Sequence, residues 1–172
     1  MVQIITIFFS ILFSFGTIES LPETSEDTVT TYYLIRHAEK DRSDSSNRDP
    51  ELTDAGLERA NNWVQVLKDI DFDAIYSTDY RRTKQTAKPL AALKNLEVLI
   101  YDPNTLYSPE FKKATLGKKV LVVGHSNTTP QFANAILGDN RYEDIDDSEN
   151  GALFIVQVLE DGSKISQVIY IN

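Results

Sequence analysis

Apolar residues along this chain follow two alternating rhythms. Short aliphatic and β-branched runs at residues 31–35, 74–77, 98–101 and 120–123 predict strands. Between the first two, Leu57, Ala60, Val64 and Leu67 recur at helical spacing, with Thr53 placed to cap the helix. Residues 80–94 predict a second helix. Thr129-Pro130 opens a third, with proline near its first position, and Leu137-Gly138 closes it. Residues 153–159 and 165–171 predict a hairpin around Glu160-Asp161-Gly162-Ser163, where Asp-Gly supplies the turn. Strands that alternate with amphipathic helices bury both faces of a sheet. The expected fold is therefore α/β, a three-layer sandwich with a mainly parallel central sheet flanked by helices.

The N-terminal segment breaks this rhythm. Residues 4–15 are almost continuously apolar, and Gly16-Thr17 and a polar stretch follow. A run this short, ending in small residues, reads as a secretory signal peptide rather than a membrane span of about 20 residues. No Lys or Arg precedes it, so an uncleaved anchor stays open. The expected organisation is signal peptide or anchor at 1–18, linker at 19–28 and one domain at 29–172. Export to a periplasm or outside the cell follows, with membrane contact only if the segment is uncleaved.

Composition narrows the function. A net charge of −9 argues against nucleic acid as the partner, because binding a phosphate backbone needs a basic footprint. The chain has no cysteine, which excludes disulfides, thiolate nucleophiles and cysteine-ligated metals. Its two histidines each close a strand-like run, in Ile35-Arg36-His37 and Val123-Gly124-His125. Open parallel sheets bind ligands at the carboxyl edge of their strands. A third strand end, Tyr76-Ser77-Thr78, leads into Tyr80-Arg81-Arg82 at a helix start. Two imidazoles and two guanidiniums can thus converge. That assembly suits phosphoryl transfer: arginines neutralise the equatorial oxygens while a neutral imidazole attacks phosphorus.

These residues resemble the histidine phosphatase superfamily, also called phosphoglycerate-mutase-like, in its small single-domain branch. The family's Arg-His-Gly signature is similar to Arg36-His37-Ala38. Its Ser-Ser-Pro-Leu-x-Arg-Ala-x-Gln-Thr-Ala element is similar to Ser77-Thr78-Asp79-Tyr80-Arg81-Arg82-Thr83-Lys84-Gln85-Thr86-Ala87, which puts the family arginine on Arg82 and leaves Arg81 toward solvent. Gly124-His125-Ser126 matches its second histidine element, and Leu52-Thr53-Asp54-Ala55-Gly56 its turn before the first helix. The resemblance spans roughly residues 30–159. It implies a phosphoric monoester hydrolase in which His37 becomes phosphohistidine while Arg36, Arg82 and His125 hold the phosphoryl group. Ser126 or Asn127 would add a donor. No cofactor is implied, and the substrate would be a phosphorylated small molecule.

Two departures leave alternatives open. Larger members carry a glutamate as general acid after the third strand, where this chain reads Tyr101-Asp102-Pro103-Asn104. Asp102 and Glu39 are the candidate acids. The family's asparagine after the first signature has no match in the polar loop 41–50, where Arg42 and Arg48 are candidates to reach substrate. Mutase-type phosphotransfer and non-catalytic phosphate binding remain alternatives to hydrolysis. No third ligand stands at metal spacing beside the histidines, so no metal is expected. Asp144-Ile145-Asp146-Asp147-Ser148-Glu149-Asn150-Gly151 fails as a calcium loop because its glycine is misplaced and no glutamate closes it.

Overall fold

A computed structural model describes residues 28–171. The expected signal segment lies outside them, as does nearly all of the expected linker. Ten elements follow one another: β1 (Thr30–Arg36), α1 (Asp54–Leu67), β2 (Ala74–Ser77), α2 (Arg81–Lys94), β3 (Val98–Ile100), α3 (Pro109–Thr115), β4 (Lys119–Gly124), α4 (Thr128–Leu137), β5 (Ala152–Val158) and β6 (Lys164–Tyr170). The strands form one six-stranded sheet in the order β3-β2-β4-β1-β5-β6. β3, β2, β4 and β1 run parallel, and β5 turns antiparallel to both β1 and β6.

Alternation along the central strands divides the core into two layers. Tyr32, Leu34, Val120 and Val122 face Phe132 and Ile136 of α4, with Phe111 of α3 packed alongside. Ile35, Leu121 and Val123 face the other way, onto Trp63 and Leu67 of α1 and Leu90 of α2. The helix after β1 therefore lies on one face and the helix after β4 on the other. Since β1 and β4 are neighbours, the crevice between their carboxyl ends is a topological switch point, where open α/β sheets take ligands.

Three local expectations are corrected. Leu57 is 44% exposed, and the buried face of α1 is Gly56, Ala60, Trp63 and Leu67. The large indole takes the interior position and turns the helix off the aliphatic stripe. The short helix α3 went unpredicted, because seven residues are too few to display a period, although Ser108-Pro109 starts it with a cap from Ser108 to the Phe111 N–H. Pro130 is the third residue of α4, not its first. Thr128 begins that helix because its hydroxyl accepts the His125 N–H at 2.9 Å.

Candidate active site

Backbone register brings the two histidines to the same level. Arg36 pairs with Gly124 across β1 and β4, and Ser77 with Val123 across β2 and β4. The next backbone bonds, His37 N–H to the Gly124 carbonyl at 2.9 Å and Thr78 N–H to the Val123 carbonyl at 3.4 Å, extend the ladder into the loops. The imidazole centroids of His37 and His125 then lie 5.5 Å apart. Gly124 is needed for the close approach below them. A Cβ there would sit 2.9 Å from the hydroxyls of both Thr128 and Thr129.

His37 is almost fully buried, and its Nδ1 lies 2.7 Å from the Ala38 carbonyl oxygen. A carbonyl only accepts, so Nδ1 carries the proton and Nε2 keeps the lone pair in the neutral ring. Burial lowers the His37 pKa to about 3, and the Arg36, Arg82 and His125 charges act in the same direction. Burial likewise takes His125 to about 4, with Arg82, Lys40 and Arg36 adding to the effect. Both rings are thus neutral near pH 7, the state in which imidazole is a nucleophile. Two further residues hold the backbone around His37, and a third holds the His125 ring. Asn150 Nδ2 donates to the His37 carbonyl at 2.9 Å, and the Ala38 N–H donates to Thr86 Oγ1 at 3.0 Å. Thr78 Oγ1 lies 3.0 Å from His125 Nε2, and it donates its own proton to Thr83. His125 Nε2 therefore supplies the proton in its bond to Thr78.

The arginines flank this pair differently. Arg36 is 2% exposed. Its Nη1 donates to the carbonyls of Asp146, Asp147 and Glu149, and its Nη2 meets the Asp147 carboxylate at 2.6 Å. The failed calcium loop is thus an arginine clamp. Arg82 is 9% exposed and lies 4.4 Å over the Tyr80 ring, which itself packs edge-on to His125. Its Nη1 makes only long contacts, 3.4 Å to the Arg48 carbonyl and 3.8 Å to Asp49. The Nε atoms of Arg36 and Arg82 are both buried without a hydrogen-bond partner. Two desolvated donors of this kind beside neutral imidazoles form a site that an anion would complete.

The remaining candidates fall elsewhere. Glu39 is bound by Arg59 Nε at 2.7 Å through Oε1 while its Oε2 is buried without a hydrogen-bond partner, and Asp102 folds onto Asn104. Ser126 offers its carbonyl to the Ile145 N–H, and Asn127 precedes α4 with an exposed side chain that makes no capping bond. Arg42 pairs with the second oxygen of Asp147 at 2.7 Å. Arg48 enters only through its carbonyl. Arg81 points outward to Glu51 at 3.0 Å. Among the described residues, no group of three or more His, Cys, Asp and Glu could hold a metal.

Comparison with known proteins agrees with this geometry. Residues 32–103 match the family model of the histidine phosphatase superfamily, branch 1. A Schizosaccharomyces pombe protein named as a phosphatase is 30% identical over 94 residues, 52% of this chain and 33% of that protein. Phosphoserine phosphatase 1 of Hydrogenobacter thermophilus is 37% identical over 73 residues, 40% of this chain and 35% of that protein. The chain therefore spans about a third of the length of these curated relatives. A mycobacterial glucosyl-3-phosphoglycerate phosphatase shares the fold at a TM-score of 0.65 and 15% identity, over 84% of this chain and 99% of that one. The ordered motifs and the matched region together make residues 32–103 similar to the histidine phosphatase superfamily, and the architecture is that of the phosphatase fold.

Proposed function

We propose that this protein is a phosphatase that hydrolyses phosphomonoesters through a phosphohistidine on His37. One observation carries the reading: a buried imidazole with an unprotonated Nε2, set beside two buried guanidiniums whose Nε donors have no partner. A phosphoryl dianion fits those donors, and its charge offsets the field that now depresses both histidines. In the first half-reaction His37 Nε2 attacks phosphorus and the ester oxygen departs. In the second, water attacks the phosphohistidine, releases phosphate and restores the neutral ring. Arg82 and Arg36 neutralise the equatorial oxygens, and His125 faces the same group. A small phosphorylated metabolite is the favoured substrate class, in line with the names of the relatives. The apolar N-terminal run supports export as the setting.

The test is rapid quench of the purified protein with a ³²P-labelled aryl phosphate. Acid-labile label should appear on the wild type, and His37→Ala should lower kcat by at least about 10⁴-fold with the fold retained. Phosphate binding without turnover or labelled protein would leave only an anion-binding module.

A further inference from the structure

Position 80 is the N-cap of α2, where the backbone is still extended (φ −125°, ψ 149°). Such positions favour small polar residues, whose side chains accept an N–H of the first turn. Tyr80 makes no capping bond, and Asp49 supplies one from outside the helix by accepting the Arg81 N–H at 2.8 Å. The loop 41–50 thus takes over the capping, and position 80 is left to carry an aromatic ring. Its main chain is fixed twice over. The Tyr80 N–H donates to the Thr78 carbonyl at 2.9 Å, and Thr83 Oγ1 donates to the Tyr80 carbonyl at 3.0 Å.

We infer that Tyr80 is a positioning residue for Arg82, a role that rests on the phosphate-binding reading of the site. Its ring seats the guanidinium by one face and leaves the N–H edge open to phosphoryl oxygens. Residues i and i+2 do not face each other within a helix, so the contact depends on the extended N-cap. There the Arg82 Cζ stands 4.4 Å from the Tyr80 ring centroid. The ring quadrupole attracts the cation without engaging any hydrogen-bond donor. A carboxylate in the same place would hold the charge by occupying the fork itself. The Asp49 carboxylate instead stays 3.8 Å from Nη1, and the buried Nε has no partner.

The same ring packs edge-on to His125, with centroids 5.1 Å apart and planes at 89°. One side chain therefore sets the spacing between a guanidinium and an imidazole that border the phosphoryl position. In the element that residues 77–87 resemble, leucine stands where this chain has Tyr80. Leucine fills space but has no quadrupole to hold a cation.

The experiment compares wild type, Tyr80→Leu, Tyr80→Phe, Arg82→Lys and the double variant on p-nitrophenyl phosphate, with inorganic phosphate as competing inhibitor. Tyr80→Leu should lower kcat/KM by about 10–30-fold and weaken inhibition by phosphate, while its urea midpoint stays close to that of the wild type. Tyr80→Phe keeps the face and should retain at least about half of the activity. In the Arg82→Lys background, Tyr80→Leu should cost under about threefold more, because the fork it seats is gone. Tyr80→Met, equally without a ring, repeats the measurement if the leucine variant does not fold. A phenylalanine variant as weak as the leucine one would assign the effect to the hydroxyl and overturn the inference. Losses that multiply in the double variant would also overturn it, since the ring would then act apart from Arg82. So would a leucine variant as active as the wild type. A wild type that neither turns over the aryl ester nor binds phosphate would instead sink the phosphatase reading, and this inference with it.

Discussion

Two buried arginines border the same crevice, and they are held in opposite ways. Arg36 has both terminal nitrogens committed to the loop 146–149, through three carbonyls and one carboxylate. Arg82 rests on an aromatic face and touches its polar neighbours only at 3.4 and 3.8 Å. Anchoring of the first kind fixes both a loop and a charge. Looseness of the second kind leaves a planar fork free for a ligand, and desolvation lowers that guanidinium's pKa for the same reason. Arg36 therefore serves the fold and the site together, whereas Arg82 serves the site alone.

Replacing each by lysine should separate the two roles. Arg82→Lys should lower kcat/KM for an aryl phosphate by about 10²–10³-fold, because a point charge cannot reproduce the fork. Its urea midpoint should stay close to that of the wild type. Arg36→Lys should lose activity and also about 2 kcal/mol of stability, since carbonyls that now accept from one guanidinium would be left short of donors. If the stability loss falls on Arg82 instead, the contrast is reversed and Arg82 is the structural residue.

Most of this architecture was legible in the residues because strand periodicity and strand ends are local signals. Ala74–Ser77 needed no revision, and β1, β4 and the hairpin strands shifted by one residue at their ends. The convergence of Arg36, His37, Arg82 and His125 was legible too, since parallel strands place their carboxyl ends on one edge. What was not legible depends on contacts far apart in sequence. Asn150 reaches the His37 carbonyl across 113 positions, and Asp147 reaches Arg36 across 111. In the sequence alone, the stretch containing them resembles only an imperfect calcium loop. Its excess of carbonyl and carboxylate oxygens was real, but the cation it serves is a guanidinium.

The histidines sharpen the contrast through pH. Each has a folded pKa below its ordinary value of 6.5, at about 3 for His37 and about 4 for His125. The unfolded chain thus binds protons that the folded one refuses, and stability present above about pH 6.5 falls as the pH drops toward 4. Between pH 7 and pH 5 the loss should be about 1–2 kcal/mol per ring, seen as a lower urea midpoint. Substituting both by glutamine should flatten that slope. Phosphate should flatten it as well, since a bound anion raises both values. A slope that survives the double substitution would assign the acid sensitivity to other groups.

Asp147 tests the clamp itself. It is 66% exposed, so its pairing with Arg36 and Arg42 is screened by water. Asp147→Asn should therefore cost under about 1 kcal/mol. Its own titration acts in a lower window. With a folded pKa of about 2 against an ordinary 3.8, its share of stability is lost only as pH falls from about 4 toward 2. The substitution should raise KM more than it lowers kcat, because it loosens the loop behind Arg36 without touching His37. A collapse of kcat would instead place Asp147 in the chemistry.

The smallest expected effect lies one residue from one of the large ones. Arg81 precedes Arg82 on α2, and a helix turns about 100° per residue, so neighbours cannot share a face. Arg81 is 62% exposed, and its guanidinium spans Glu51 and Asp49 on the outer side of the loop 41–50. Exposed pairs of this kind contribute little, and lysine can keep one of the two contacts. Arg81→Lys should leave kcat/KM within about twofold of the wild type and stability within about 0.5 kcal/mol. Measured beside Arg82→Lys on the same aryl phosphate, the pair gives the register of α2 directly. A large loss at Arg81 with a silent Arg82 would rotate the phosphate cradle by one residue and remove the unpartnered Arg82 Nε from the argument for the site.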